Sequence, residues 1–127
     1  MNHDRTNRRA VAGAVAADTV AVLVFCALGR RSHDEGVDIS GVAATAWPFL
    51  SGTAIGWLLS RGWRAPSALR STGLTVWLST VVVGMLIRWA TSASVALPFV
   101  AVASSVTAVL LLGWRAVVGR GRLTGAR

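Results

Sequence analysis

Residues 10–28 read AVAGAVAADTVAVLVFCAL, nineteen positions that are apolar apart from Thr19 and one carboxylate, Asp18, near the middle. Hydrocarbon offers the backbone no hydrogen-bonding partner, so a span must be helical, and roughly 20 residues at about 1.5 Å each cross the bilayer. Asp18 would cost about 2.5 to 3.5 kcal/mol facing lipid at mid-helix, so it is expected to face protein or water. The remaining helices must shelter it.

Three further apolar runs follow, at residues 42–60, 71–90 and 95–114. The expected fold is therefore all-α, an integral membrane four-helix bundle over residues 10–116, flanked by a disordered cytoplasmic tail (1–9) and a loose basic one (117–127). Composition agrees: 54% of the 127 residues are hydrophobic, and the mean hydropathy is +0.58, too apolar for an ordinary soluble domain of this size. Arg8 and Arg9 before the first run also suit a signal peptide, but Asp18 would interrupt its core and Phe25 is too large for a small-residue cleavage site.

All thirteen basic residues are arginine, against five acids. They lie at the ends of apolar runs and not along one polar face, which points to membrane topology and away from nucleic acid. With four spans, ten arginines (5, 8, 9, 61, 64, 70, 115, 120, 122, 127) share a side and three (30, 31, 88) take the other. Positive-inside orientation then places both termini in the cytoplasm, with the plasma membrane as the location. Trp47 and Trp89 fall near the outer border and Trp57, Trp63 and Trp114 near the inner one, where indole rings favour headgroup depth. Trp77 lies deeper, as a packing residue. Pro48 and Pro98 each fall near the start of a run, where a missing N–H is tolerated.

Small residues supply the packing candidates. Gly52 and Gly56 lie four apart on one face, as do Thr80 and Gly84, which would let backbones approach closely; incidental glycines in a glycine-rich chain are the alternative. AWPFL from Ala46 with GWR at Gly62 is echoed by ALPFV from Ala96 with GWR at Gly113. This is either a tandem duplication of a helical hairpin or coincidence among apolar letters.

Two constellations could carry chemistry. The first is an intramembrane polar layer, with Asp18 roughly 12 Å in from the inner edge and Thr53, Ser79, Thr80, Ser104 and Ser105 near its level. It either fixes helix register through hydrogen bonds or lines a proton or ion track. No basic residue is expected at that depth. The second is an outer-face cluster of Arg30, Arg31, His33, Glu35 and Arg88, with Asp34 beside it. Arginine forks suit carboxylates and lipid phosphates, and His33 could titrate near neutral pH; a solvated loop with snorkelling arginines is the plainer alternative. No metal-ligand spacing, phosphate loop, CxxC pair, HExxH or serine elbow occurs, so neither cofactor nor metal is expected. Lone Cys26 is expected to pack as a small apolar residue.

Asp18, GRRSH at Gly29, WPF at Trp47, GW at Gly56, WLST at Trp77, GMLIR at Gly84 and GWR at Gly113 span about residues 14–115. In these the chain resembles the small actinobacterial and archaeal membrane proteins catalogued as domain of unknown function 3054. The resemblance implies a multi-span membrane protein and transfers no activity or site to any residue. The expected function is that of a non-enzymatic small transporter-like, channel-like or accessory membrane component. Its surroundings are the lipid bilayer, an anionic headgroup and a second copy in a homo-oligomer. The alternative is a membrane-embedded enzyme or binder acting on anionic lipid headgroups at the outer face, with His33 as acid or base.

Overall fold

The structure is a computed structural model and describes residues 2–32, 35–91, 93 and 95–125. Four helices account for nearly all of it: α1 (Asn2–Ser32), α2 (Ile39–Ser60), α3 (Leu74–Ala90) and α4 (Leu97–Gly125). Each lies in a segment long and apolar enough to cross a membrane, and among the described residues there is no strand. The chain is thus an all-α, multi-pass membrane protein. Val20, Leu59, Leu86, Val109 and Val117 are all more than half exposed, as befits side chains whose solvent is lipid.

The helices outrun the apolar stretches. α1 takes in the polar residues before Ala10, and α4 continues through Gly119 and Gly121 to Gly125. Arginine is a good helix former, and no proline interrupts either extension. α2 starts at Ile39, three residues before its apolar run, so Pro48 lies inside the helix and not in its first turn.

The connection from α2 to α3 is tightly built. Arg61 adopts a left-handed conformation (φ 51°, ψ 51°) and ends α2, its N–H donating to the Leu58 and Trp57 carbonyls. Residues Gly62–Arg64 form one 3₁₀ turn. Leu69–Gly73 is a π-helical turn that leads into α3, with the Gly73 N–H donating to the Ala68 carbonyl at 2.9 Å. Thr72 ties this segment down by donating to the Ala65 carbonyl at 2.6 Å.

α2 and α3 make the closest seam in the bundle. A Cβ on Gly52 would lie 2.5 Å from the Ser79 carbonyl oxygen, and one on Gly56 would lie 2.7 Å from Val76 Cα. A Cβ on Gly84 would run into the Phe49 ring. All three glycines therefore mark where α2 and α3 touch. Across the same seam Ser79 donates to the Gly52 carbonyl (2.7 Å), and the Thr53 and Thr80 hydroxyls bond each other (2.7 Å).

The core has two parts. Toward the α1–α2 loop, Phe25 and Phe49 meet edge to face at 5.3 Å, packed with Val22, Cys26, Ala46 and Ala103. Toward the α2–α3 connection, Ala14, Trp57 and Val76 pack with Val11 and Trp114. The two GWR triplets do not match structurally: Gly62–Arg64 is the 3₁₀ turn, whereas the second lies within α4.

Candidate functional site

Asp18 is fully buried, and its partners are not the hydroxyls at its level. Oδ2 accepts from Trp57 Nε1 (2.8 Å) and Arg115 Nη2 (2.7 Å); Oδ1 accepts from Trp114 Nε1 (2.9 Å) and Arg115 Nη1 (2.8 Å). Two oxygens thus hold four N–H donors, two from a guanidinium fork and two from indoles. The Arg115 side chain is likewise completely buried. Its Nε donates to the Pro66 carbonyl (3.0 Å) and Nη1 also to the Leu111 carbonyl (3.1 Å). Its guanidinium carbon lies 4.4 Å from the centre of the Trp114 ring.

Local sequence explains how each donor arrives. Helical side chains lean toward their own N-terminus, so Arg115 points back up α4, as its bond to Leu111 four residues earlier records. Trp57 lies across Gly62, where any Cβ would strike the indole ring. Gly73, where a Cβ would come within 3.0 Å of Arg115 Cδ, leaves room for the arginine stem beside the π-helical turn. Trp57 and Trp114, expected as headgroup anchors, instead turn inward to the carboxylate, while Trp47, Trp63 and Trp89 are 43–70% exposed.

The expectation of no basic partner at Asp18's depth is corrected by this geometry. It placed Arg115 by the position of its backbone, but the long side chain doubles back by about one turn. The expected hydroxyl layer separates into parts: Thr53, Ser79 and Thr80 stitch α2 to α3. Ser104 accepts through its backbone carbonyl from Trp77 Nε1 (3.0 Å), and exposed Ser105 donates to its own helix at Ala101.

At the other end of the bundle, Arg30 pairs with Glu35 (3.2 Å), and its Nε and Nη1 donate to the Gly36 carbonyl and the Thr45 hydroxyl. Arg88 lays its guanidinium over the Phe99 ring, 4.3 Å from the centroid. Arg30, Glu35 and Arg88 share the wall of one cavity of about 600 Å³; Arg31 is exposed and not among its lining residues. His33 and Asp34 lie outside the described residues. Nearby, the Ser40 hydroxyl donates to Asp38 (2.7 Å) and holds that carboxyl below the usual carboxylate range. Among the described residues no His, Cys, Asp and Glu grouping could hold a metal ion.

The family described as "Protein of unknown function (DUF3054)" matches residues 15–118. The chain belongs to this family. No curated protein and no solved structure matches. The DUF3054 match takes in Asp18, Trp57, Trp114 and Arg115, so the whole ion-pair site lies within the family's span. Sequence reasoning found Asp18 and missed its three partners. The available signal was the repeated Gly-Trp at Gly56 and Gly113, which puts an indole at the same end of α2 and α4.

Proposed function

We propose that this DUF3054 protein is a non-enzymatic accessory component of the plasma membrane, with both termini cytoplasmic, in which Asp18 locks the bundle and carries no proton or ion. The carrying observation is the occupancy of the carboxylate. A translocating acid must exchange its partner during each cycle, and Asp18 has both oxygens engaged by donors that are themselves fixed in place. Releasing it would strand a buried guanidinium, at a cost of about 3 to 5 kcal/mol. The hydroxyls of Thr53, Ser79, Thr80 and Ser105 bond within the helices and across α2–α3 and not to the carboxylate.

The enzyme reading has less behind it. Among the described residues at the far end of the bundle, no nucleophile is paired with a base, and the cavity there presents guanidinium groups and one carboxylate. The arrangement suits holding better than reacting.

The test is proton flux in proteoliposomes carrying an imposed pH gradient. Vesicles with the protein are expected to hold the gradient as long as empty ones. A leak that Asp18→Asn abolishes would overturn the reading.

A further inference from the structure

We infer that the end of the bundle bearing the termini and the α2–α3 connection is a binding surface for anionic phospholipid headgroups. Arg5, Arg8 and Arg9 of α1 grip them together with Arg61, Arg64 and Arg70, all six exposed. This goes beyond the accessory role proposed above, and it draws neither on the partners of Asp18 nor on the cavity at the opposite end.

Only five acids oppose the thirteen arginines, so every carboxylate can be placed. Asp18 is taken by Arg115 inside the bundle. Asp34, Glu35 and Asp38 belong to the α1–α2 connection, at the end where Arg30, Arg31 and Arg88 match them three for three. Nine arginines and Asp4 then remain at the end with the termini, and the whole net charge of +8 gathers there. One carboxylate cannot neutralise nine guanidinium groups, whichever of them it pairs with.

Depth selects the partner. Arg9, Arg61 and Arg70 each lie one residue outside an apolar run, Arg8 two, Arg64 four and Arg5 five. At about 1.5 Å per helical residue, even Arg5 stands only roughly 7 to 8 Å beyond the hydrocarbon. The headgroup layer is about 5 to 8 Å deep on each side, so the guanidinium groups lie at phosphate level, where their planar forks suit phosphate oxygens. Trp63, 43% exposed among them, adds an indole suited to the same layer. A nucleic acid or an acidic protein would have to displace the headgroups to reach this depth. The surface is also held in shape. α1 packs against the Gly62–Arg64 turn, so the two sets of arginines share one patch. Thr72 and Arg115 donate to the Ala65 and Pro66 carbonyls and fix the connection, which leaves less ordering to offset on binding.

The experiment reconstitutes the full chain into vesicles of equal phosphatidylglycerol and phosphatidylcholine, extracts it in mild detergent and counts co-purifying lipids by native mass spectrometry. An arginine near the membrane surface favours an anionic headgroup about fivefold, so wild type is expected to retain phosphatidylglycerol over phosphatidylcholine by at least about that ratio. Extraction in about 1 M salt should weaken the preference through screening. The triple variant Arg8→Gln, Arg9→Gln, Arg64→Gln is expected to fall below about twofold with the wild-type melting temperature in detergent. Arg31→Gln, exposed at the opposite end, is expected to keep the wild-type ratio. Equal retention of the two lipids by wild type would overturn the inference without any variant being needed. So would an unchanged ratio in the folded triple variant, or an equal loss in Arg31→Gln. Polyuridylate or polyglutamate that binds the protein in phosphatidylcholine vesicles and is not displaced by phosphatidylglycerol would overturn the lipid assignment in favour of a nucleic acid or an acidic protein.

Discussion

The Asp18–Arg115 contact shows how a buried charge is tolerated when both carboxylate oxygens and four of the five guanidinium N–H groups have partners. Taking two ions out of water costs several kcal/mol each, and the attraction offsets that only where geometry and extra hydrogen bonds are complete. Here the indoles of Trp57 and Trp114 and the carbonyls of Pro66 and Leu111 complete it. Removing one side strands the other. Asp18→Ala and Arg115→Ala are each expected to lower stability by about 3 to 5 kcal/mol, and the double variant by much less than their sum. A double-mutant cycle on detergent unfolding checks this; additive losses would mean the two residues act independently. The charge-reversed pair, Asp18→Arg with Arg115→Asp, should not rescue stability, because Trp57 and Trp114 would then aim N–H donors at a cation. Trp57→Phe removes one donor and should cost about 1 to 3 kcal/mol. Asp18 was legible in the sequence because any acid in an apolar run demands a partner. Arg115 was not, because rise per residue locates a backbone and says nothing of a side chain reaching back along its own helix.

The helices themselves were legible from hydropathy, but their ends were not. Apolarity marks where lipid begins, whereas a helix ends only at a breaker or a cap, so α1 and α4 run past the runs that announced them. The glycine pattern carried more. At the α2–α3 seam the spacing of Gly52 and Gly56 reflects true contact, since a side chain at either would meet the backbone of α3. Gly113 has nothing within 4 Å of a built Cβ. The two positions therefore make opposite predictions. Gly52→Ala should push the helices apart and cost about 1 to 3 kcal/mol, while Gly113→Ala should be neutral or stabilise by up to about 1 kcal/mol through helix propensity. Melting temperatures of the two variants in the same detergent decide it, and equal shifts would mean that close approach does not set the seam.

At the scale of the molecule, an even number of spans puts both termini on one face, and the proposed cytoplasmic side of that face rests on the arginine distribution. Ten arginines belong to the side bearing the termini and the α2–α3 connection, against three on the other. The structure adds that two of those three, Arg30 and Arg88, face a cavity, while Arg115 is buried in the bundle and cannot meet lipid headgroups. Removing the three engaged residues still leaves nine against one, so the positive-inside bias survives their recruitment. Cysteine accessibility gives the test, since native Cys26 is buried. Val37→Cys, 53% exposed in the α1–α2 loop, should react with a membrane-impermeant maleimide in intact cells. Ala65→Cys, exposed in the α2–α3 connection, should react only after lysis. The reverse pattern would turn the molecule over, leaving the Asp18 lock and the packing of α2 on α3 as they stand.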